Sequence, residues 1–331
     1  MKRIQFLNDV TLFMLLAIIL IVLYSASPIS IGSEYVPASI LMMSSLALSL
    51  FFEAIPFLLA GVVISGVIQV FVSEQQMKKM LPKHPILAVI TGCSLGALFP
   101  ACECGIVPIV RRLLMKGVPL YAAVAFMLTG PLINPLVALS TYMAFGQDVT
   151  MMLMRFSLGF LAAFIVALIV YSVFKHRLEL KHTTETLQPF IQQQRPPFSK
   201  RLSYMGTHAI EEFFEMSKFF IVGAILAASV QTYLSSSSLF AFGDNVMMST
   251  MMMMILAYLL SLCSEADAFI AASFTQFVPT ESLLAFLLYG PMFDLKNTWM
   301  LGAVFSFRFV FCLFVSITAV VYGLTLAVYF L

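Results

Sequence analysis

Of the 331 residues, 61% are hydrophobic and only 10% are charged, and the mean hydropathy is +1.00. A soluble domain carries roughly 25% charged residues, so a water-soluble globule is excluded and the chain reads as an all-α polytopic membrane protein. The formal net charge of +2 says little by itself; no nucleic-acid partner is expected, and the positions of the charges are the useful signal.

In chain order, Lys2 and Arg3 precede the first apolar run, residues 11–27. More apolar runs follow at once, and no convincing small-x-small cleavage site with a mature soluble region comes after it, so this run is expected to be a transmembrane helix rather than a signal peptide. The N-terminus is expected in the cytoplasm and the protein in the cell membrane. Runs at 38–72, 85–110, 119–145 and 151–174 come next, then a polar stretch containing HRLELKHTTETLQPFIQQQRPPFSKR, which reads as a solvated linker. Runs at 210–234, 246–277, 283–307 and 309–331 complete the chain. The expected division is an N-terminal helix and outer loop (1–37), a first membrane repeat (38–174), a cytoplasmic linker (175–206) and a second membrane repeat (207–331).

Three blocks support the repeat. LFFEAIPFLLAGVVISGVIQVFV aligns with EFFEMSKFFIVGAILAASVQTYL, placing Glu53 opposite Glu215 at an offset of 162. VPLYAAVAFMLTGPLIN aligns with VPTESLLAFLLYGPMFD, placing Asn134 opposite Asp294 at an offset of 160. Between them FPACECG faces LCSEAD, with Glu103 matched to Glu265. Lys and Arg favour cytoplasmic loops. Arg111, Arg112 and Lys116 stay inside if residues 85–110 form a re-entrant hairpin turning near CEC, and the second half then has the opposite orientation. That is the inverted repeat found in many secondary transporters, with paired re-entrant hairpins and broken helices.

Irregular backbone in a bilayer is tolerated only where protein or water satisfies it. PACECG, CSEAD, GPLINP and GPMFD are four such candidates, and a pseudo-two-fold axis would gather them at mid-membrane. The expected substrate- or ion-binding set is Cys102, Glu103, Cys104, Asn134, Cys263, Glu265, Asp267 and Asp294, with Glu53 and Glu215 also within or near the apolar runs. Charges at such depth are costly and usually functional. Lys218 is a same-face partner for Glu215, and Arg155 and Arg308 read as interfacial anchors. Cys102, Cys104 and Cys263 are soft donors suited to Cu(I), Zn(II) or trivalent arsenic, and as plain packing residues they would fit equally. Phosphate-cradling GxxxxGK[ST] is absent from the sequence, so ATP hydrolysis by the chain is not expected. Neither a cofactor nor an enzymatic activity is expected.

The stretch PACECGIVPIVRRLLMKGVPLYAAVAFMLTGPLINP resembles the predicted-permease family known as DUF318 or UPF0718, which includes ArsP- and YraQ-like proteins. The CECG form looks closest to its YcgR-type subgroup. The resemblance implies a multi-pass bacterial permease and, for that subgroup, a second membrane protein of the DUF1980 type as partner. The leading expectation is a secondary, ATP-independent permease for a small solute in the lipid bilayer, with a thiophilic metal or metalloid species as one candidate. The alternative is a membrane subunit of a two-protein complex acting on a lipid-linked or cell-envelope anionic substrate.

Overall fold

The computed structural model describes residues 38–71, 77, 81–82, 84–99, 102–174, 198–233 and 245–330. The expected first helix at 11–27, its outer loop and most of the linker lie outside the described residues. Within them the chain is helical without strands, in twelve segments. The first six are α1 (Ala38–Phe71), α2 (Pro85–Leu98), α3 (Glu103–Met115), α4 (Leu120–Thr129), α5 (Pro135–Ala144) and α6 (Val149–Phe174). The second six are α7 (Phe198–Tyr233), α8 (Val246–Leu260), α9 (Ser264–Ser273), α10 (Thr280–Met292), α11 (Leu295–Val304) and α12 (Phe307–Phe330). Each run of six repeats one sequence of lengths: a long helix, four short ones, a long one.

Among the described residues four helices are long and apolar enough to cross a membrane, α1, α6, α7 and α12. These open and close each half. The short helices have 10 to 15 residues, which at about 1.5 Å per residue falls short of a hydrocarbon core of about 30 Å. Each apolar run between the long helices is thus cut into two partial helices. The protein is an all-helical polytopic membrane protein.

The breaks have local causes. Cys102 and Cys263 are extended and start α3 and α9. Asn134 caps α5 by accepting from the Val137 amide at 2.8 Å, and Asp294 caps α11 by accepting from the Asn297 amide at 2.6 Å. Such caps satisfy amides that the first helical turn leaves unbonded. Gly290 and Pro291 do not form the second break as expected from GPMFD; both lie inside α10, and the chain leaves the helix at Phe293. α7 begins at Phe198, within the last part of the stretch expected as the linker. Pro196 and Pro197 precede that start, and proline is well suited to a helix's first turn but not its interior.

The most deeply buried helices are α4 and α10, apolar all round beyond the Thr280-Glu281-Ser282 start of α10, as expected of helices enclosed by others. α4 packs on α2, α3 and α6, and α10 packs correspondingly on α8, α9 and α12. Between the halves, α1 lies along α7, α3 meets α11, and α9 meets α5. Glycine permits two of the tightest contacts. A Cβ on Gly61 of α1 would run into the Gly105 carbonyl of α3, and one on Gly223 of α7 would sit 2.7 Å from the Lys296 Cα of α11.

Candidate functional site

The helix pairs α3–α11 and α5–α9 bring four helix N-termini into the interior, each the start of a segment that follows a break. A helix N-terminus presents unpaired N–H groups and the positive end of the backbone dipole, favourable to anions and carboxylates. Glu103 occupies the first turn of α3, and Asp294 caps α11.

Lys296 lies between these two acids. Its Nζ is 2.6 Å from Glu103 Oε1 and 3.1 Å from Asp294 Oδ2, and it donates to the carbonyls of Ser261 and Leu262 at 2.7 and 3.2 Å. All three ionic side chains are buried. One ammonium thus ties the start of α3 to the start of α11 and to the turn after α8. Ser261 makes that turn in a left-handed conformation, φ 48°, and its Oγ accepts from the Leu295 amide at 3.1 Å. Removing one partner of a buried ion pair typically costs about 3–5 kcal/mol, so this junction is either closed or rearranged as a unit.

A second buried group sits where α5, α6 and α9 meet. Arg155 is not the interfacial anchor expected from sequence; it is fully buried, donating to Thr141 Oγ1 at 2.7 Å and to the Ser264 carbonyl at 3.1 Å. Position alone misled, because a cation seven residues into an apolar helix suits the headgroup region equally well. Asp267, one turn into α9, is buried beside Gly290, and Glu265 is half-buried with Ser264 Oγ at 3.4 Å. Arg308 is exposed at the start of α12.

The remaining expected residues divide into two sets. The Cys102 and Cys104 thiols lie within hydrogen-bonding reach of each other at the start of α3. Cys263 instead has Glu53 of α1 as its side-chain partner. Among the described residues no three His, Cys, Asp or Glu side chains form a metal-holding group. The expected Cys102–Cys104–Cys263 ligand set is therefore not assembled among the described residues, because Cys263 stands at the start of a different helix, α9, with Glu53 as its side-chain partner. The helix caps also set Cys263 opposite Cys102, at offset 161, so Ser264 rather than Glu265 occupies the place of Glu103.

Glu215 lies away from this interior, 48% exposed and 3.1 Å from Arg111. Next to it Glu212 is buried, paired with Arg112 at 3.1 Å and accepting from Ser65 Oγ at 2.9 Å. Lys116 Nζ donates to the Gln69 carbonyl at 2.7 Å. The three cations after α3's apolar turns therefore clamp its end to α1 and α7.

Lys296 and Glu212 are not among the residues expected from sequence, and Arg155 is there only as an interfacial anchor. The one sequence signal for Lys296 is that it is the only charge within the eight residues after Asp294.

This architecture, a polytopic helical protein with a charged interior built on interrupted helices, is that of a membrane permease. A family described as "Predicted permease" matches residues 39–330, and the chain belongs to that family. It is 46% identical over 289 residues to the UPF0718 protein YcgR of Bacillus subtilis (strain 168), covering 86% of this chain and 96% of that one. It is 37% identical over 287 residues to a Streptococcus mutans protein named "Putative two-component membrane permease complex subunit", covering 84% and 91%. No solved structure matches the chain.

Proposed function

We propose that the chain is a secondary, ATP-independent permease for a small solute, with its site at the junction of α3, α9 and α11. The observation that carries this reading is the buried Glu103–Lys296–Asp294 cluster. It joins interrupted helices from two repeats, the arrangement in which alternating access works by moving one repeat against the other. The repeats are inverted, bounded by residues 38–174 and 207–331, and the paired short helices α2–α3 and α8–α9 are re-entrant from opposite sides. Cys102, Glu103, Cys104, Asp267 and Asp294 face the solute path, with Asn134 holding the matching cap in the first half.

The Cys102–Cys104 pair favours a thiophilic solute such as a trivalent arsenical, Cu(I) or Zn(II), since thiolate ligands select soft or borderline ions. Proteoliposomes bearing the purified chain, loaded in turn with methylarsenite, copper(I) and zinc, test this directly. At least one should move faster than in empty liposomes, and C102S with C104S should remove that difference while the protein still inserts. Equal fluxes with and without protein for all three would reject the thiophile. Failure also with a panel of other small ions and lipid-linked precursors would reject the permease.

A second reading follows from the Streptococcus mutans relative, whose name describes a complex subunit. The chain would then work with a second membrane protein of the DUF1980 type. Affinity purification from the native membrane in mild detergent should recover a stoichiometric second membrane protein. Recovery of the chain alone, with transport intact after reconstitution, would exclude an obligate partner.

A further inference from the structure

Seven ionisable side chains of the acidic and basic kind are buried among the described residues: four acids, Glu103, Glu212, Asp267 and Asp294, and three bases, Arg112, Arg155 and Lys296. Their formal charges do not cancel; one negative charge is left over. By contacts the set divides into a neutral Arg112–Glu212 pair, a Glu103–Lys296–Asp294 cluster with one negative charge in excess, and Asp267 and Arg155, which have no ion pair among the described residues. Glu212 also has Ser65. Among the described residues Asp267 has neither an ion pair nor a hydrogen-bond donor on either carboxylate oxygen, although only 1% of the residue is exposed.

Arg155 does not supply the missing donor. It is spent on two neutral acceptors, Thr141 and the Ser264 carbonyl, and its Nε is left without a partner. The charged groups that face Asp267 are Arg155 from α6, Lys296 and Asp294 from the start of α11, Glu103 from α3 and Glu265 on its own helix. α10 contributes Gly290, where a Cβ would lie 2.7 Å from Asp267 Oδ2. The backbone there is bare because the carboxyl group fills the space. A buried carboxylate with no donor is so poorly solvated that it neutralises instead.

We propose that Asp267 is a proton-binding site: it carries a proton in the arrangement described, and pairing with Arg155 releases that proton. Protonation is the addition of one proton to the carboxylate, which brings the buried set to electrical neutrality. Arg155 needs only to exchange its neutral acceptors for Asp267 to take the proton's place. A proton fits better than a metal cation, which would need several oxygen ligands, and no metal-holding group is present among the described residues. The two positive charges nearby explain why the site can also give its proton up. The role of this proton in coupling rests on the permease reading; the proton itself does not.

Infrared difference spectroscopy of the purified full-length protein in nanodiscs tests the site without any solute. At neutral pH a protonated carboxylic C=O band should be present, should shift when the protein is made with 13C-labelled aspartate and should be unmoved by 13C-labelled glutamate. It should vanish in D267N, which imitates the neutral acid and should keep the wild-type melting temperature. If that variant folds poorly, D267E decides the assignment: the band should then respond to 13C-labelled glutamate instead of aspartate, and a band still sensitive to aspartate would belong to another residue. Absence of an aspartate-sensitive band at neutral pH, or its survival in folded D267N, would overturn the proposal. A band present in a protein whose transport ignores an imposed pH gradient would retain the proton site and discard only its coupling role.

Discussion

Lys296 shows how much one side chain can hold. Its ammonium touches two carboxylates and two backbone carbonyls contributed by α3, the cap of α11 and the turn after α8. K296M keeps most of the stem's volume but leaves Glu103 and Asp294 facing each other uncompensated. Loss of one partner from such a buried cluster should cost about 3–5 kcal/mol, read as a clear fall in melting temperature in detergent. Neutralising the acid as well should return part of that loss. In a double-mutant cycle, K296M with E103Q should therefore be less damaging than the sum of the two single changes, by about 0.5–3 kcal/mol. Additive effects would mean that the pair is not energetically coupled. Such a residue was legible only in part. Glycine-proline followed by Asn or Asp announces a break and a cap, and Asn134 and Asp294 are both found in that role. A lysine two positions beyond a cap announces nothing until the fold places an acid from elsewhere against it. Arg155 and Glu212 were obscure for the same reason, their partners being 109 and 100 residues away.

At the scale of helices, apolar run lengths foretell the all-helical polytopic architecture, while the GPMFD signal misplaces its break, since Gly290 and Pro291 lie inside α10. Which helices touch was less accessible, because lipid-facing and protein-facing surfaces are equally apolar. α1 exposes Phe52 at 65% while burying Leu58 at 1%, and nothing in residue type separates them. Close packing of small residues is the better guide in a membrane, where dispersion and not water exclusion holds helices together. Gly105 tests it. A Cβ there would be 2.6 Å from the Phe57 carbonyl of α1, whereas at Gly323 of α12 it would meet nothing within 4 Å. G105A should separate α1 from α3 and lower stability by about 1–3 kcal/mol, the usual range for overpacking. G323A should be neutral or gain up to about 1 kcal/mol from helix propensity. Melting curves of the two variants side by side decide it, and equal behaviour would show that the α1–α3 contact is not tight.

At the scale of the molecule, the two halves share a layout without sharing a conformation. α1 packs against α3, whereas α7 packs against α11. The same repeat position records the difference: Gly61 abuts Gly105, and its counterpart Gly223 abuts Lys296. Lys296 is 3% exposed, while Leu136, its counterpart at offset 160, is 53% exposed. Two copies of one unit held in two conformations are what alternating access requires, since exchanging the conformations produces the opposite-facing form. In the exchanged form α7 would leave α11 for α9, and Phe219 would approach Ala266 as Phe57 now approaches Gly105. The clamp of Arg112 on Glu212 belongs to the present form. With native thiols replaced by serine, R112C paired with E212C should cross-link readily, stop transport, and regain it on reduction. F219C paired with A266C should cross-link slowly in resting protein and faster during turnover, because only the exchanged form brings those positions together. The first cross-link should also abolish the second in a chain carrying all four changes. If F219C and A266C never join under turnover, or join while the first pair is locked, the halves do not exchange conformations, and the asymmetry is a fixed property of the fold.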